Sequence, residues 1–193
     1  MSGLTLYLSP GSSSMAVHIA LHEIGVPFET RSLSFFQKEH RQPEFLAINP
    51  AGKVPTLIAD GAVITEVAAC LLYLAKRFPD AGLLPRDLLA EAQAVSWMSF
   101  IASTLHPARR QGPEHVAEVW SLADRKLGGD WALGVYSIAD IHLFRLYWRM
   151  VNAQRPYPKG LYRLEALYGR MMTRSAVQRT IEIEGRLGYE LPA

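Results

Sequence analysis

Every run of this chain that reads as a β-strand lies before the Pro-, Gly- and Asp-rich stretch PDAGLLPRD at residues 79–87. No other feature limits the fold as much, because it separates a region of mixed strands and helices from one of helices alone. LTLYLS is a short β-rich run. MAVHIALHEIG places Val17, Ala20, Leu21 and Ile24 at helical spacing and stops at Gly25, with Pro27 just beyond. FETRSL alternates as a strand does, and the polar QKEHRQPEFLAIN predicts one or two irregular helical turns. VPTLIADGAVIT predicts a hairpin turning through Asp60-Gly61, and EVAACLLYLAKRF a helix ended by Pro79. The predicted order is β-α-β-α-β-β-α, with its last two strands antiparallel. Beyond residue 87 the pattern is helical throughout. LLAEAQAVSWMSFIASTLH predicts one long helix, Gly112-Pro113 a break, and PEHVAEVWSLADRKL a shorter helix. A further helix is expected from Ser137 to about Val151, and two more between Leu161 and Leu187. The expected organisation is an α/β domain over 1–80, a linker over 81–87 and an all-helical domain over 88–193.

Composition removes several classes of function. Twenty Lys and Arg stand against 18 Asp and Glu, a formal net charge of +2, which is too balanced for a nucleic-acid protein. The most apolar stretch, GAVITEVAACLLYLA, contains Glu66 and is too short to span a bilayer. No leader pattern precedes the first strand signal, so no membrane partner and a cytoplasmic location are expected. The single cysteine, Cys70, precludes an internal disulfide and fits a reducing compartment. Its place inside EVAACLLYLAKRF marks it as a small buried hydrophobe.

Three stretches carry the chemistry. In NPAGKVPTL, Pro50 and Gly52 make a turn and Pro55 stands at the head of a strand, where a missing N–H costs least. A cis bond there would turn the Val54 N–H and C=O outward as an edge for a peptide-like ligand. Thr65-Glu66-Val67 opens the next helix. Glu66 could simply favour the helix dipole, or its carboxylate could take a ligand ammonium while the Val67 N–H takes a carboxylate. Ser12, Ser13 and Ser14 in SPGSSSMAVHI lie where a strand hands over to a helix, either as caps or as donors to an anion. Elsewhere, Ser137 and Asp140 in YSIADIHLF form a capping-box pattern, with Tyr136 placed to pack on Ile141. His106, next to Pro107, reads as a helix-end residue whose charge could satisfy the last carbonyls. His18 and His22 stand four apart with no third ligand, so no metal is expected. Trp97, Met98, Trp120, Trp148 and Met150 read mostly as core.

Together, SPGSSSMAVHIAL, EFLAINPAGKVPTL, ITEVAACLLYLAKRFP, WMSFIASTLHPA and YSIADIHLF resemble, in order, the cytosolic glutathione transferases. The PGSSS spacing and the WMSFIASTLH run look most like the bacterial beta class. The resemblance implies a thioredoxin-like N-terminal domain followed by an all-α domain. It implies backbone contacts from Val54, with a cis Pro55, to the cysteinyl part of glutathione. It also implies Glu66 and the Val67 amide at the γ-glutamyl head, and Lys53, more weakly His40, at the glycyl carboxylate. Ser99 matches a position reaching the other subunit's glutathione, and His106 one near the thiol. Three departures stand out: Ser13 replaces the usual beta-class cysteine, Gly11 stands where related classes place a catalytic serine, and Val67 replaces a common serine. The segment between His106 and Ser137 is also shorter than the family's.

These observations lead to an expected homodimeric glutathione transferase that presents the glutathione thiolate to a small apolar electrophile. Ser13 is the first choice of thiol donor, with Ser12 and Ser14 behind it. Glutathione serves as co-substrate, without a metal or organic cofactor. A glutathione-dependent disulfide reductase or peroxidase is the enzyme alternative. A non-catalytic binding protein of the same fold is the other.

Overall fold

The computed structural model describes residues 3–153 and 156–190, and its packing divides them into two units. The first runs to Phe78 and takes in the chain again from Ser175; the second is Pro79–Arg174. The break after Phe78 lies close to the expected end of the α/β region at residue 80. The expected all-helical domain over 88–193 is not one packing unit, because its last helix belongs with the first.

In the first unit a four-stranded sheet has the order β2-β1-β3-β4. Its strands are β1 (Leu4–Leu8), β2 (Glu29–Ser32), β3 (Thr56–Ala59) and β4 (Ala62–Thr65). β1 and β2 are parallel, with Leu6 opposite Thr30, and β3 runs antiparallel to β1, with Leu57 opposite Leu6. The β3–β4 hairpin turns through Asp60 and Gly61, both at positive φ (50° and 87°), as a tight two-residue hairpin turn requires. Leu4, Leu6 and Leu8 alternate into the core. The FETRSL run forms the short edge strand β2, with all four residues exposed, so its alternation is not matched by burial. The parallel β1–β2 pair is joined by α1 (Ser14–Ile24), whose residues from Ser14 to Leu21 are all buried. α3 (Val67–Arg77) packs on α1, and so does α8 (Ser175–Leu187). Between β2 and β3 lie a 3₁₀ turn (Glu39–Arg41) and the single turn α2 (Pro43–Leu46), the irregular helix its sequence predicts.

The second unit holds α4 (Leu88–Phe100), α5 (Pro113–Lys126), α6 (Ile138–Asn152) and α7 (Tyr162–Met172). The run expected as one helix through His106 is α-helical to Phe100 and then widens to a π-turn over Ile101–Leu105. There Ser103 Oγ donates back to the Ser99 carbonyl at 2.8 Å, and Pro107 follows without an N–H. Both draw the backbone away from regular α bonding. α6 is buried on every side from Ile138 to Trp148 and is the centre of this unit. Trp97, Met98, Trp120 and Trp148 are core, as expected. No helix among the described residues is long and apolar enough to cross a membrane.

Candidate active site

The loop from Ser9 to Ser13 carries the chain from β1 into α1, and its bonds separate the three serines. Ser14 is fully buried; its Oγ accepts from the Ser9 N–H at 3.2 Å and lies 2.8 Å from Ser12 Oγ. Ser12 Oγ also accepts from the Ser14 N–H at 3.3 Å. Ser13, the residue flanking α1, is half-buried, and its side chain makes no capping bond. Ser12 and Ser14 therefore serve the turn, while Ser13 carries a hydroxyl the helix does not use. Gly11 sits at φ 73°, a conformation that favours glycine over the serine related classes place there.

A residue far along the sequence holds this loop. Glu184 on α8 accepts from the Gly11 N–H at 2.7 Å through Oε2 and meets His18 Nδ1 at 2.9 Å through Oε1. His18 and Glu184 are both almost fully buried, and His18 packs on the His22 ring with centroids 4.7 Å apart. Burial, then His18 and Arg179, push the His22 pKa down to about 4. The His18–His22 pair that sequence spacing singled out is thus an aromatic pair, hydrogen-bonded through His18 to the carboxylate that also holds Gly11. Sequence reasoning did not mark Glu184: EIEGR on an amphipathic helix reads as a solvated face, and its partners lie over 160 residues away.

The NPAGKVP segment is organised by Asn49. Its Nδ2 donates to the Lys53 carbonyl at 2.8 Å and to Thr56 Oγ1 at 2.9 Å, and its Oδ1 accepts from the Ala51 N–H at 3.1 Å. The Val54–Pro55 peptide bond is cis. Val54 and Pro55 are buried, and Lys53 is exposed. Gly52 at φ 59° lies so close to the 3₁₀ turn that an added Cβ would stand 2.8 Å from the His40 carbonyl. Lys53 and His40, placed together by the resemblance alone, are thus carried on two segments in direct contact. The His40 imidazole is half-buried, with its pKa lowered by desolvation and by Arg41.

Glu66, just before α3, has φ 69° and ψ 133°, which a residue with a Cβ rarely adopts and which costs about 1–3 kcal/mol. Its side chain makes no capping bond and is exposed, and no acid stands in the first turn of α3, which starts at Val67. Cys70, one turn on, is buried; desolvation pushes its thiol up to about 12, as befits a small core residue.

Ser99 and His106 belong to the second unit. Ser99 is exposed on α4. Burial, then Arg145, Arg109 and Arg110, push the His106 pKa down to about 4, so at neutral pH it is uncharged. This corrects the helix-end reading, in which a cationic His106 would satisfy the last carbonyls. Between His106 and Ser137 lie a short 3₁₀ turn (Pro107–Arg110) and the helix α5.

A profile of the glutathione S-transferase N-terminal domain matches residues 2–76. The chain is 32% identical to glutathione S-transferase GstA of Escherichia coli, in an alignment 200 positions long that covers 94% of this chain and 99% of that protein. Among solved structures it is similar to the bacterial beta class glutathione S-transferase of Sphingomonas chungbukensis, with 32% identity and a TM-score of 0.83. That likeness covers 94% of this chain and 98% of the other. A glutathione transferase homologue from Sulfitobacter, solved with bound glutathione, gives 32% identity and a TM-score of 0.83 over 96% and 99% of the two chains. The serine loop, the Val54–Pro55 segment and the strained helix start at Glu66 thus lie in a chain that belongs to the glutathione transferase family.

Proposed function

We propose that this glutathione transferase holds glutathione along the first unit and presents its thiolate at Ser13 for attack on a small apolar electrophile. The observation that carries the reading is the Ser13 hydroxyl, which makes no capping bond at the start of α1 while Ser12 and Ser14 bond each other. A serine hydroxyl need not ionise. It donates to the sulfur, and with the N–H groups at the helix start it favours the ionised thiol, whose proton leaves to solvent. Glu66 takes the γ-glutamyl ammonium and the Val67 N–H its carboxylate. Val54 takes the cysteinyl backbone, and Lys53 with His40 the glycyl carboxylate. The thiolate then forms the new carbon–sulfur bond; with an aryl halide the carbon–halogen bond breaks with its electron pair and halide leaves to solvent, catalysis coming from thiol ionisation and proximity. His106, uncharged, offers a hydrogen bond and no counter-charge. The working assembly is a homodimer, with Ser99 directed to the partner's glutathione, and the location is cytoplasmic.

Calorimetric titration with glutathione, followed by turnover with an aryl halide and with a glutathione mixed disulfide, tests this. Binding with aryl halide turnover supports the transferase. Turnover of the disulfide alone would make the enzyme a reductase, and binding without turnover would leave a binding protein.

A further inference from the structure

The segment that follows α8 returns to the first unit and ends, among the described residues, on a carboxylate surrounded by donors. Ser34 Oγ donates to Glu190 Oε1 at 2.6 Å. The backbone N–H groups of Phe35 and Phe36 both donate to Oε2, the latter at 3.0 Å. Burial raises the Glu190 pKa, but the bonds from Ser34, Phe36 and Phe35, with His40 nearby, outweigh it and leave the pKa lowered. The residue before it is anchored as well, since the Tyr189 hydroxyl donates to the Ile181 carbonyl on α8 at 2.8 Å.

The loop it grips is one that needs holding. Lys38 sits at φ 57°, unusual for a residue with a Cβ. Ser34 is saturated: its N–H donates to Glu39 Oε2 at 2.7 Å, and its Oγ accepts from the Gln37 N–H at 3.0 Å while donating to Glu190. The Phe35 ring packs edge-on against the His40 imidazole, with centroids 4.8 Å apart and planes at 75°. The His40 carbonyl in turn abuts Gly52, the neighbour of Lys53, and Arg41 donates to the Ala51 carbonyl at 3.3 Å. A continuous line of contacts therefore runs from Glu190 through Phe35 and His40 to the Lys53 loop.

We infer that Glu190 is a positioning residue for the glycyl end of the glutathione site, fixing the Ser34–His40 loop so that His40 and Lys53 face one carboxylate together. The inference rests on the proposed role of those two residues. A rival effect has the opposite sign: a carboxylate beside His40 repels the glycyl carboxylate, so if charge alone mattered, removing Glu190 would tighten binding.

The test compares glutathione with its glycyl monoethyl ester, in which that carboxylate is masked, by calorimetry on the parent, Glu190→Ala, Glu190→Gln and Ser34→Ala. If the released loop holds the competent arrangement about a third to a tenth of the time, the Kd for glutathione rises about three- to tenfold in Glu190→Ala. The ester should change by less than about twofold, since the subsite contributes little to its binding. Glu190→Gln keeps an acceptor and should recover part of the loss. Ser34→Ala should move in the same direction, and the double variant should lose less than the sum of the two. Equal losses for both ligands would reduce Glu190 to general stability and overturn the inference, as would an unchanged or tighter Kd for glutathione. A parent that binds neither ligand would overturn the glutathione reading beneath it. A parent that binds both, with variants that do not discriminate, would overturn only the role of Glu190.

Discussion

Two helices of this chain start after a serine, α1 after Ser13 and α6 after Ser137, and the two starts are built differently. At α6, Ser137 Oγ accepts from the Ala139 N–H at 3.3 Å, and Asp140 Oδ2 accepts from the Ser137 N–H at 2.9 Å, closing a capping box. Asp140 also takes the Ser137 hydroxyl at 3.1 Å and, through Oδ1, the Ala132 N–H at 2.7 Å. Every group at that start is spoken for, and Ser137 and Asp140 are fully buried. At α1 the third helical residue is Ala16, the first turn holds no acid, and Ser13 makes no capping bond. The same side chain just before a helix is structure in one case and an open donor in the other. Two things separate them: Ser137 is extended (φ −156°, ψ 176°), as a capping residue is, whereas Ser13 is already helical (φ −59°, ψ −22°), and the residue three places on is an acid only at α6.

The largest effect expected from this contrast is at Asp140. Its replacement by alanine strands the Ser137 and Ala132 N–H groups in the core, so Asp140→Ala should lose about 2–4 kcal/mol in denaturant unfolding. The glutathione affinity of the folded fraction should stay intact. A variant as stable as the parent would mean that the box does not hold α6 and that the contrast is only apparent.

Next come the histidines these two helices carry. His142 on α6 is 5% exposed, its Nδ1 has no hydrogen-bond partner among the described residues, and burial, then Arg145 and His106, push its pKa down to about 3. His22 on α1 is half-buried with a pKa near 4. Both lie below the ordinary 6.5, so as pH falls the unfolded chain takes up protons first. Their contribution to stability is full above pH 6.5 and is lost as pH falls from there, toward 4 for His22 and toward 3 for His142. Unfolding measured against pH should therefore fall off in acid. His142→Asn should flatten the curve by about 1–3 kcal/mol, and His22→Asn by less because solvent screens it. Parallel curves for parent and both variants would show that neither histidine is held neutral.

A smaller loss, in rate and not in stability, is expected at Ser13. Ser13→Ala should raise the pKa of bound glutathione by about one unit and slow turnover near neutrality about tenfold. Its melting temperature should match the parent's, since no cap is lost. Ser137→Ala should behave in reverse, losing about 1 kcal/mol of stability while the folded fraction keeps its rate. Thiolate absorbance against pH, read beside thermal melts, separates the two. A Ser13→Ala protein that melts early with its thiol unchanged would make Ser13 one more cap.

Much of this contrast was legible in the sequence. S-x-x-D before an apolar run marks the closed start of α6, whereas at α1 the sequence left capping and donation to an anion both open for the three serines. The β-α-β-α-β-β-α order was legible too, because strand alternation and the Asp60-Gly61 turn are local signals. What was hidden depends on contacts between distant segments. The IEIEG run on α8 gives no sign that Glu184 will be buried against Gly11 and His18. An amphipathic helix declares that it has a partner but not which one. The neutrality of His106 has the same character, arising from burial and then from Arg145, which lies on another helix.

The smallest effect concerns a third helix start, and it decides whether α3 belongs with α1. Glu66 flanks α3 without capping it and holds φ at 69°, a conformation only glycine reaches without steric penalty. Glu66→Gly relieves about 1–3 kcal/mol of backbone strain, and the greater freedom of glycine in the unfolded chain offsets about 0.4–1 kcal/mol. A net gain of about 1 kcal/mol, and of no more than about 2.6, should remain, visible as a slightly raised melting temperature. Glu66→Ala keeps the Cβ and the strain, so it should gain nothing. Both variants lack the carboxylate, and both should bind glutathione about tenfold or more weakly for want of a partner to its ammonium. The pair thus separates backbone from charge: stability should divide glycine from alanine, while affinity should treat them alike. If Glu66→Gly gains stability and still binds as the parent does, the strain serves something other than glutathione, and α3 does not share the open start of α1. If neither variant changes in stability but both lose affinity, the carboxylate keeps its role and the backbone was never under strain.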